Sequence, residues 1–518
     1  MSTSRTTRFL QNTLSTAVYQ LTAMVMGFIT PRLMILYYGS EVNGLIVSVT
    51  EFLTYFKMVE AGLAAAAYVA LYEPLARRDN AAISGVVSAA RGFYNTAGWL
   101  FAGITVLFAL IYPMIVPVCD ITGVRMDNLS VMALILAMGA SGTLEFFTMS
   151  RFRVLLTADQ HTYVVSLASM ASLLLSTAVL VILPFLGMDV IVVRLAASLT
   201  ILLRALILQR YVVKHYPGVN VHAKPNKLAL SKRWDALCVE LTEVFQQGAG
   251  VSLGTLITRD PGVLSVYGVY HMVTVGLWGV LKMATTGIYS IFGNLLVSSG
   301  KDAFRRAYND FECFYQLAVS ILFGAAAVLI VPFVNLYTHG INDANYNVPV
   351  LGLLIILEAL TNHCKMPMDL MISASGKFRE VRWHCAAQVG TTIVIGSVLG
   401  VIGLRWGVEW SLCGIVAGVC AGNLVRTATQ LHFVPKHVTG LDWKISLARI
   451  LRMFLTVTII AAPCLLWISA PRRFFTWVMY AVILVFYATA VSFLSAWLFD
   501  RKTLKSLLSR LLSLLPRG

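Results

Sequence analysis

The stretch Leu203-Arg204, followed by Arg210-Tyr211-Val212-Val213-Lys214-His215, closes one series of apolar segments. Val425-Arg426, followed by His432-Phe433-Val434-Pro435-Lys436-His437, closes another. Counted from the arginine, the two runs match at an offset of 222 throughout. Upstream, Leu156-Thr157-Ala158 resembles Ile372-Ser373-Ala374, each before the fifth segment of its series. A chain whose two halves end alike is expected to be an internal duplication, and six spans per half would give both halves the same orientation. That predicts an all-α integral membrane fold of two six-helix lobes, related by a pseudo-twofold along the membrane normal, with a cavity at their interface.

Composition agrees with that reading. Of 518 residues, 58% are hydrophobic and 12% charged, and the mean hydropathy is +0.77, which excludes a soluble globular domain of this length. About fourteen transmembrane helices are predicted, over 11–34, 42–70, 92–117, 128–149, 162–186, 190–209, 236–257, 264–297, 311–335, 348–373, 383–403, 408–432, 447–468 and 474–498. The domain organisation follows: an N-terminal lobe 1–212, a linker 213–235 with Pro217, Gly218 and Pro225, a C-terminal lobe 236–440, and 441–518 carrying helices 13 and 14 with a basic amphipathic tail.

Lys and Arg collect in every second connection, while the opposite side holds only Arg125, Arg259, Arg405, Arg472 and Arg473. This bias puts both termini in the cytoplasm and makes most of the +16 net charge an orientation signal and a contact with anionic lipid. Nucleic acid is not an expected partner. The first apolar run passes through Thr30-Pro31-Arg32 without a small-residue cleavage site, so it reads as a retained span. The eight scattered cysteines form no CxxC pair and read as packing residues. GxxxxGK[ST], GxGxxG and HExxH are absent, and the outer connections are short, so no catalytic residue, cofactor or metal site is expected.

The ionisable residues inside the spans are the functional candidates, because each must face protein or water. Lys57 and Lys282 fall near the middle of spans two and eight, equivalent positions in the repeat, and Arg32 lies in span one. Facing cations at mid-membrane suit a diphosphate. Glu60, three residues from Lys57, is its competing partner, and Glu243 or Glu358 the competing partner of Lys282. Glu60, Glu240, Glu243 and Glu358 are candidates for coupling to a Na+ or H+ gradient or for counter-charge. Arg194 lies in the outer part of its span. Arg204 and Arg426 read as helix-end anchors that snorkel to the interface, and Arg501–Leu512 as an amphipathic helix lying on the membrane.

The runs Tyr38-Gly39-Ser40-Glu41-Val42-Asn43-Gly44-Leu45, Glu60-Ala61-Gly62-Leu63 and Leu71-Tyr72-Glu73-Pro74-Leu75 resemble Wzx-type polysaccharide flippases. So do Ser265-Val266-Tyr267-Gly268-Val269-Tyr270, Phe292-Gly293-Asn294-Leu295 and Tyr337–Tyr346. These flippases belong to the multidrug/oligosaccharidyl-lipid/polysaccharide exporter superfamily, and the similarity extends over most of residues 1–440. The resemblance implies translocation of an undecaprenyl-diphosphate-linked oligosaccharide across the bacterial plasma membrane by alternating access, for capsule, exopolysaccharide or O-antigen assembly. It also implies two extra helices, a monomer, and polysaccharide polymerase and glycosyltransferases as candidate partners. The alternatives are a cation-coupled multidrug exporter of the same superfamily, a peptidoglycan-precursor (lipid II) flippase, and a membrane polysaccharide polymerase.

Overall fold

The computed structural model describes residues 5–116, 126–148, 150–220, 223, 234–285, 288–298, 300–467 and 473–514. Arg125, Arg472, Cys119 and residues 221–222 and 224–233 of the expected linker lie outside them. The described residues form helices and connecting turns, with no strand among them. Among the described residues, twelve helices are long and apolar enough to cross a membrane. One of these, Leu10–Lys57, has 48 residues and would be about 72 Å long if straight, more than twice a hydrocarbon core of about 30 Å.

It does not run straight. Helix α1 (Arg5–Lys57) breaks at Gly39, whose φ of 85° and ψ of 167° suit a residue without Cβ. The break falls in the expected short connection between spans one and two, so α1 makes two passes. Helix α9 (Trp234–Thr258) is long enough to span, but Glu240, Glu243, Gln246 and Gln247 lower its hydropathy. Counting α1 twice and adding α9 gives fourteen segments among the described residues that are long enough to cross, the number the apolar pattern predicts.

The chain divides into two compact units, Met1–Ser265 and Val266–Gly518. The first contains α1, α2 (Ala61–Arg77), α3 (Asn80–Ile115), α4 (Asn128–Thr148), α5 (Ser150–Ala158), α6 (Thr162–Phe185), α7 (Val190–Leu199), α8 (Ile201–His215) and α9. Its core is built from residues three or four apart: Val42, Leu45, Val49 and Leu53 of α1, and Ile83, Val86, Ala90, Tyr94, Ala97 and Phe101 of α3. Asp79 caps α3 by accepting from the amides of Ala81 and Ala82, both at 3.0 Å, and Asp189 caps α7 by accepting from Ile191 at 2.7 Å. Helix α9 packs on α1, where Asn43 donates to Ser265 at 2.8 Å and Ser48 and Thr255 share a hydrogen bond of 2.8 Å.

Helix α10 (Pro261–Thr285) crosses the division. The second unit continues with α11 (Ile288–Ser298), α12 (Lys301–Tyr337), α13 (Pro349–Ser375), α14 (Phe378–Gly403), α15 (Val408–Val434), a π turn at Pro435–Thr439, α16 (Trp443–Trp467), α17 (Phe474–Phe499) and α18 (Arg501–Leu514). Helices α14 and α15 approach so closely that a Cβ on Gly418 would land on the backbone of Gly396. Helix α17 buries a single stripe, Leu484, Ala488, Ser492 and Ala496, and exposes apolar residues elsewhere, as a helix facing lipid should.

The repeated motifs adopt the same local structure in each unit. His215 stacks on Tyr211 with ring centroids 4.0 Å apart, and His437 on Phe433 at 4.6 Å. In both pairs the histidine Nδ1 lies 3.0 Å from the carbonyl of that aromatic residue. After Leu156-Thr157-Ala158 the chain closes with His161 N bonded to Leu156 O and Gln160 N to Thr157 O. After Ile372-Ser373-Ala374, Lys377 N bonds to Ile372 O and Gly376 N to Ser373 O. Gln160 and Gly376 both turn left-handed, at φ 60° and 68°. These are the same helix-ending motif at an offset of 216.

At the first of these turns Tyr216 donates to Asp159 at 2.5 Å, and His161 Nδ1 lies 3.2 Å from the same carboxylate. Burial alone would raise the Asp159 pKa. The hydrogen bonds from His161 and Tyr216, with the charges of His161 and Arg8, outweigh it and hold the carboxyl below its usual range. A depressed carboxylate contributes stability above its unfolded pKa of about 3.9 and loses it as pH falls through the folded value. Hydrogen-exchange protection over residues 156–163, taken relative to the intrinsic exchange rate at each pH, is expected to fall below about pH 4, and Asp159→Asn to show low protection already at neutral pH with little further change.

The first turns of the C-terminal helix pack inside the protein: Leu504 and Leu507 are buried, and Leu504 clusters with Cys313, Leu317 and Ala496. Asn309 donates to Thr503 at 3.1 Å and Ser506 to Asp310 at 3.2 Å, fixing α18 to α12. Leu504 and Leu507 are thus covered by protein, while Arg501, Lys502 and Lys505 stay exposed.

Candidate functional site

The first unit has an open-mouthed cavity of about 250 Å³ among α1, α3, α4, α6 and α7. Two cations line it, Lys57 from the last turn of α1 and Arg194 from α7, with the hydroxyls of Thr50, Thr54, Ser141, Ser176 and Ser198. No carboxylate is among its described lining residues. The sequence explains how Lys57 reaches it. Its stem crosses the bare face of Gly142 on α4, where a Cβ would meet Lys57 Cε at 2.8 Å and Phe101 Cε1 at 2.7 Å.

Arg194 stands five residues after the Asp189 cap. The span Val190–His215 that carries it keeps helical backbone angles through Thr200, between α7 and α8, where the Thr200 carbonyl accepts from Ser172 at 3.0 Å.

Behind Lys57 lies a charged cluster. Glu145 is 3.4 Å from Lys57, 3.4 Å from Arg153 and 3.6 Å from Arg204, and Arg153 also pairs with Glu60. The carboxylate partner of Lys57 is therefore Glu145 on α4, while Glu60, the expected neighbour on its own helix, is turned to Arg153. With Arg194, four cations and two carboxylates stand in and beside the cavity, an excess of two positive charges.

Arg32 is half-buried on α1 and does not line the cavity, nor do Glu240, exposed on α9, or Glu243, half-buried on the same helix. In the second unit Lys282 is exposed in the last turn of α10, its Nζ 5.4 Å from the centroid of the Trp278 ring. Glu358 is buried on α13, in a polar layer where Gln388 donates to Asn423 at 2.9 Å and Asn423 reaches Thr361 at 3.4 Å.

Arg204 and Arg426 are not snorkelling anchors. Arg426 is fully buried and donates to Asp369 at 2.7 Å, beside Lys365, which lies 3.5 Å from the same carboxylate. Arg204 is half-buried and turned to Glu145. A carboxylate within the bundle draws each guanidinium inward, which removes the need to reach water. Glu145, Arg153 and the role of Arg194 were not singled out by sequence reasoning. A lone arginine within Val190-Ile191-Val192-Val193-Arg194-Leu195 was the one signal that could have raised Arg194 to a site residue.

Comparison with solved structures bears on the fold. The lipid II flippase MurJ in an inward closed conformation superposes with a TM-score of 0.67 at 11% identity, over 92% of this chain and 98% of that one. An inward-facing multidrug resistance MATE family transporter of the MOP superfamily gives 0.58 at 14%, over 85% and 99%. A MOP superfamily transporter from Pyrococcus furiosus, described by a binding pocket of reverse polarity, gives 0.52 at 13%, over 86% and 96%. The chain has the fold of the MOP-superfamily transporters. No protein-family model matches the sequence, and no curated protein matches it.

Proposed function

We propose that this protein is a flippase moving undecaprenyl-diphosphate-linked oligosaccharide repeat units across the bacterial plasma membrane by alternating access, for surface polysaccharide assembly. The observation that carries this reading is the cavity whose lining has two cations and no carboxylate among its described residues. A diphosphate headgroup costs many kcal/mol to bring into hydrocarbon, and a hydroxyl-lined cationic cavity replaces its hydration. An exporter of cationic drugs needs the opposite polarity.

In this reading Lys57 binds the diphosphate within the first unit, Arg32 and Lys282, both outside that cavity, are candidate contacts at other stages of transport, and no covalent bond changes. Glu358, buried beside Thr361 and Asn423, is the favoured group for Na+ or H+ coupling, whereas Glu60 serves as counter-charge to Arg153. A lipid II flippase is the second reading. It is favoured by the superposition on MurJ and requires the same cavity chemistry.

The test is to deplete the protein in its host and quantify lipid-linked saccharides by leaflet with a membrane-impermeant probe. Accumulation of a polymer repeat unit on the inner leaflet is expected, relieved by the wild-type gene but not by a Lys57→Ala, Lys282→Ala double variant. Accumulation of peptidoglycan precursor instead selects the second reading. Normal lipid-linked sugars with increased drug sensitivity would sink both.

A further inference from the structure

We propose that Arg194 is the second cationic arm of the Lys57 cavity, and that the two together form a site for a phosphoryl-class oxyanion, a diphosphate, within the first unit. The inference rests on the reading of Lys57 as an anion ligand and adds a residue from a different helix.

Three observations carry it. Arg194 and Lys57 line the same cavity, from α7 and α1. Arg194 has no ion-pair partner among the described residues, and its Nε is buried without a hydrogen-bond acceptor. The carboxylate behind Lys57, Glu145, is already shared by Lys57, Arg153 and Arg204. A half-buried guanidinium whose Nε is shielded from water and lacks an acceptor is costly, and the cavity beside it has a hydroxyl rim that includes Ser176 and Ser198.

An anion entering the cavity would meet a planar fork from one side and a point charge from the other. That combination grips a phosphoryl group through paired N–H donors while Lys57 neutralises the remaining charge. A cation is repelled by both arms. The oxyanion has two sources, a prenyl-diphosphate headgroup or free inorganic diphosphate, with the same recognition chemistry.

The test uses the full chain purified into lipid nanodiscs, with binding measured by calorimetry. The probes are inorganic diphosphate and farnesyl diphosphate, with Arg382→Gln, an exposed cation of the second unit, as control. Wild-type protein and R382Q are expected to bind alike, with R194Q and K57Q each weaker by about tenfold or more. Tighter binding of farnesyl diphosphate assigns the site to a lipid headgroup, and equal binding assigns it to a free anion. R194Q within about twofold of wild type for both probes, with an unchanged melting temperature, overturns the proposal. If R194Q does not fold, R194K and K57Q decide: loss of the fork should weaken R194K several-fold, and affinity within about twofold of wild type in both overturns the site. Because the readout is binding of a sugar-free anion, it can succeed or fail independently of the leaflet assay, which reads translocation.

Discussion

Replacing Arg449 by alanine is expected to destabilise the second unit by about 3–5 kcal/mol. Its guanidinium is 3% exposed and all three nitrogens are used. Nη1 donates to Glu312 at 2.8 Å, Nε to Asp500 at 2.7 Å, and Nη2 to Asn309 at 2.8 Å and Thr503 at 3.2 Å. The residue thereby ties α12 and α16 to the junction of α17 and α18. Truncation leaves Glu312, 2% exposed, facing no cation of its own, and takes away the main counter-charge of Asp500, which keeps only Arg452 at 3.7 Å. For a unit of about this size each kcal/mol moves the melting temperature by roughly 2–4 °C, so a drop near 10 °C is expected. Limited proteolysis should release α18 early. Arg449→Lys keeps the charge without the fork and should fall between, and Glu312→Gln with Arg449→Met should recover part of the loss, since the cost lies in the orphaned carboxylate. A melting temperature within about 2 °C of wild type in Arg449→Ala would refute the account.

The passes and the repeat were legible because both depend on local sequence. An apolar run of about twenty residues reports a span whatever it packs against. Tyr211 and His215, or Leu156 and His161, make their contacts within a few residues, so the motif that matches in sequence matches in space. The same holds for the break at Gly39, between two runs each long enough to cross.

The charges were less legible. Glu145 meets Lys57 across 88 residues of sequence and Arg449 meets Glu312 across 137. Nothing in the sequence near Lys57 distinguishes Glu145 from Glu60 as its partner. Helical spacing favoured Glu60, but the helix ends at Lys57 and continues as a tight turn over Met58–Glu60, so Glu60 turns toward α5 and Arg153. Arg204 and Arg426 looked like interfacial anchors because position along a span suggests depth, whereas burial depends on which carboxylate the neighbouring helix presents. In the tail helix, amphipathicity shows that a face must be covered, and α12 supplies the cover for its first turns at Leu504.

Glu145→Gln should have the second large effect, and it links stability to the cavity. The carboxylate is 14% exposed and serves three cations, of which Lys57 is 40%, Arg153 25% and Arg204 16% exposed. Lys57 is open enough for solvent to screen much of its share, so most of the loss falls on Arg153 and Arg204, about 3 kcal/mol in all. Glutamine keeps the size and a hydrogen-bonding oxygen, so the change is chiefly one of charge. It leaves Glu60 as the remaining carboxylate against Lys57, Arg153, Arg194 and Arg204, which raises the pull of the cavity on an anion. The variant should therefore melt well below wild type in an anion-poor buffer and recover with inorganic diphosphate, because a ligand at 100 times its Kd stabilises the bound form by about 2.7 kcal/mol. Glu60→Gln, which removes a partner from Arg153 alone, should lose less and gain less from diphosphate. If Glu145→Gln melts as wild type does, or if diphosphate raises both variants equally, the carboxylate does not set the charge of the cavity. Lys57 and Arg194 would then have to be balanced by groups elsewhere in the first unit.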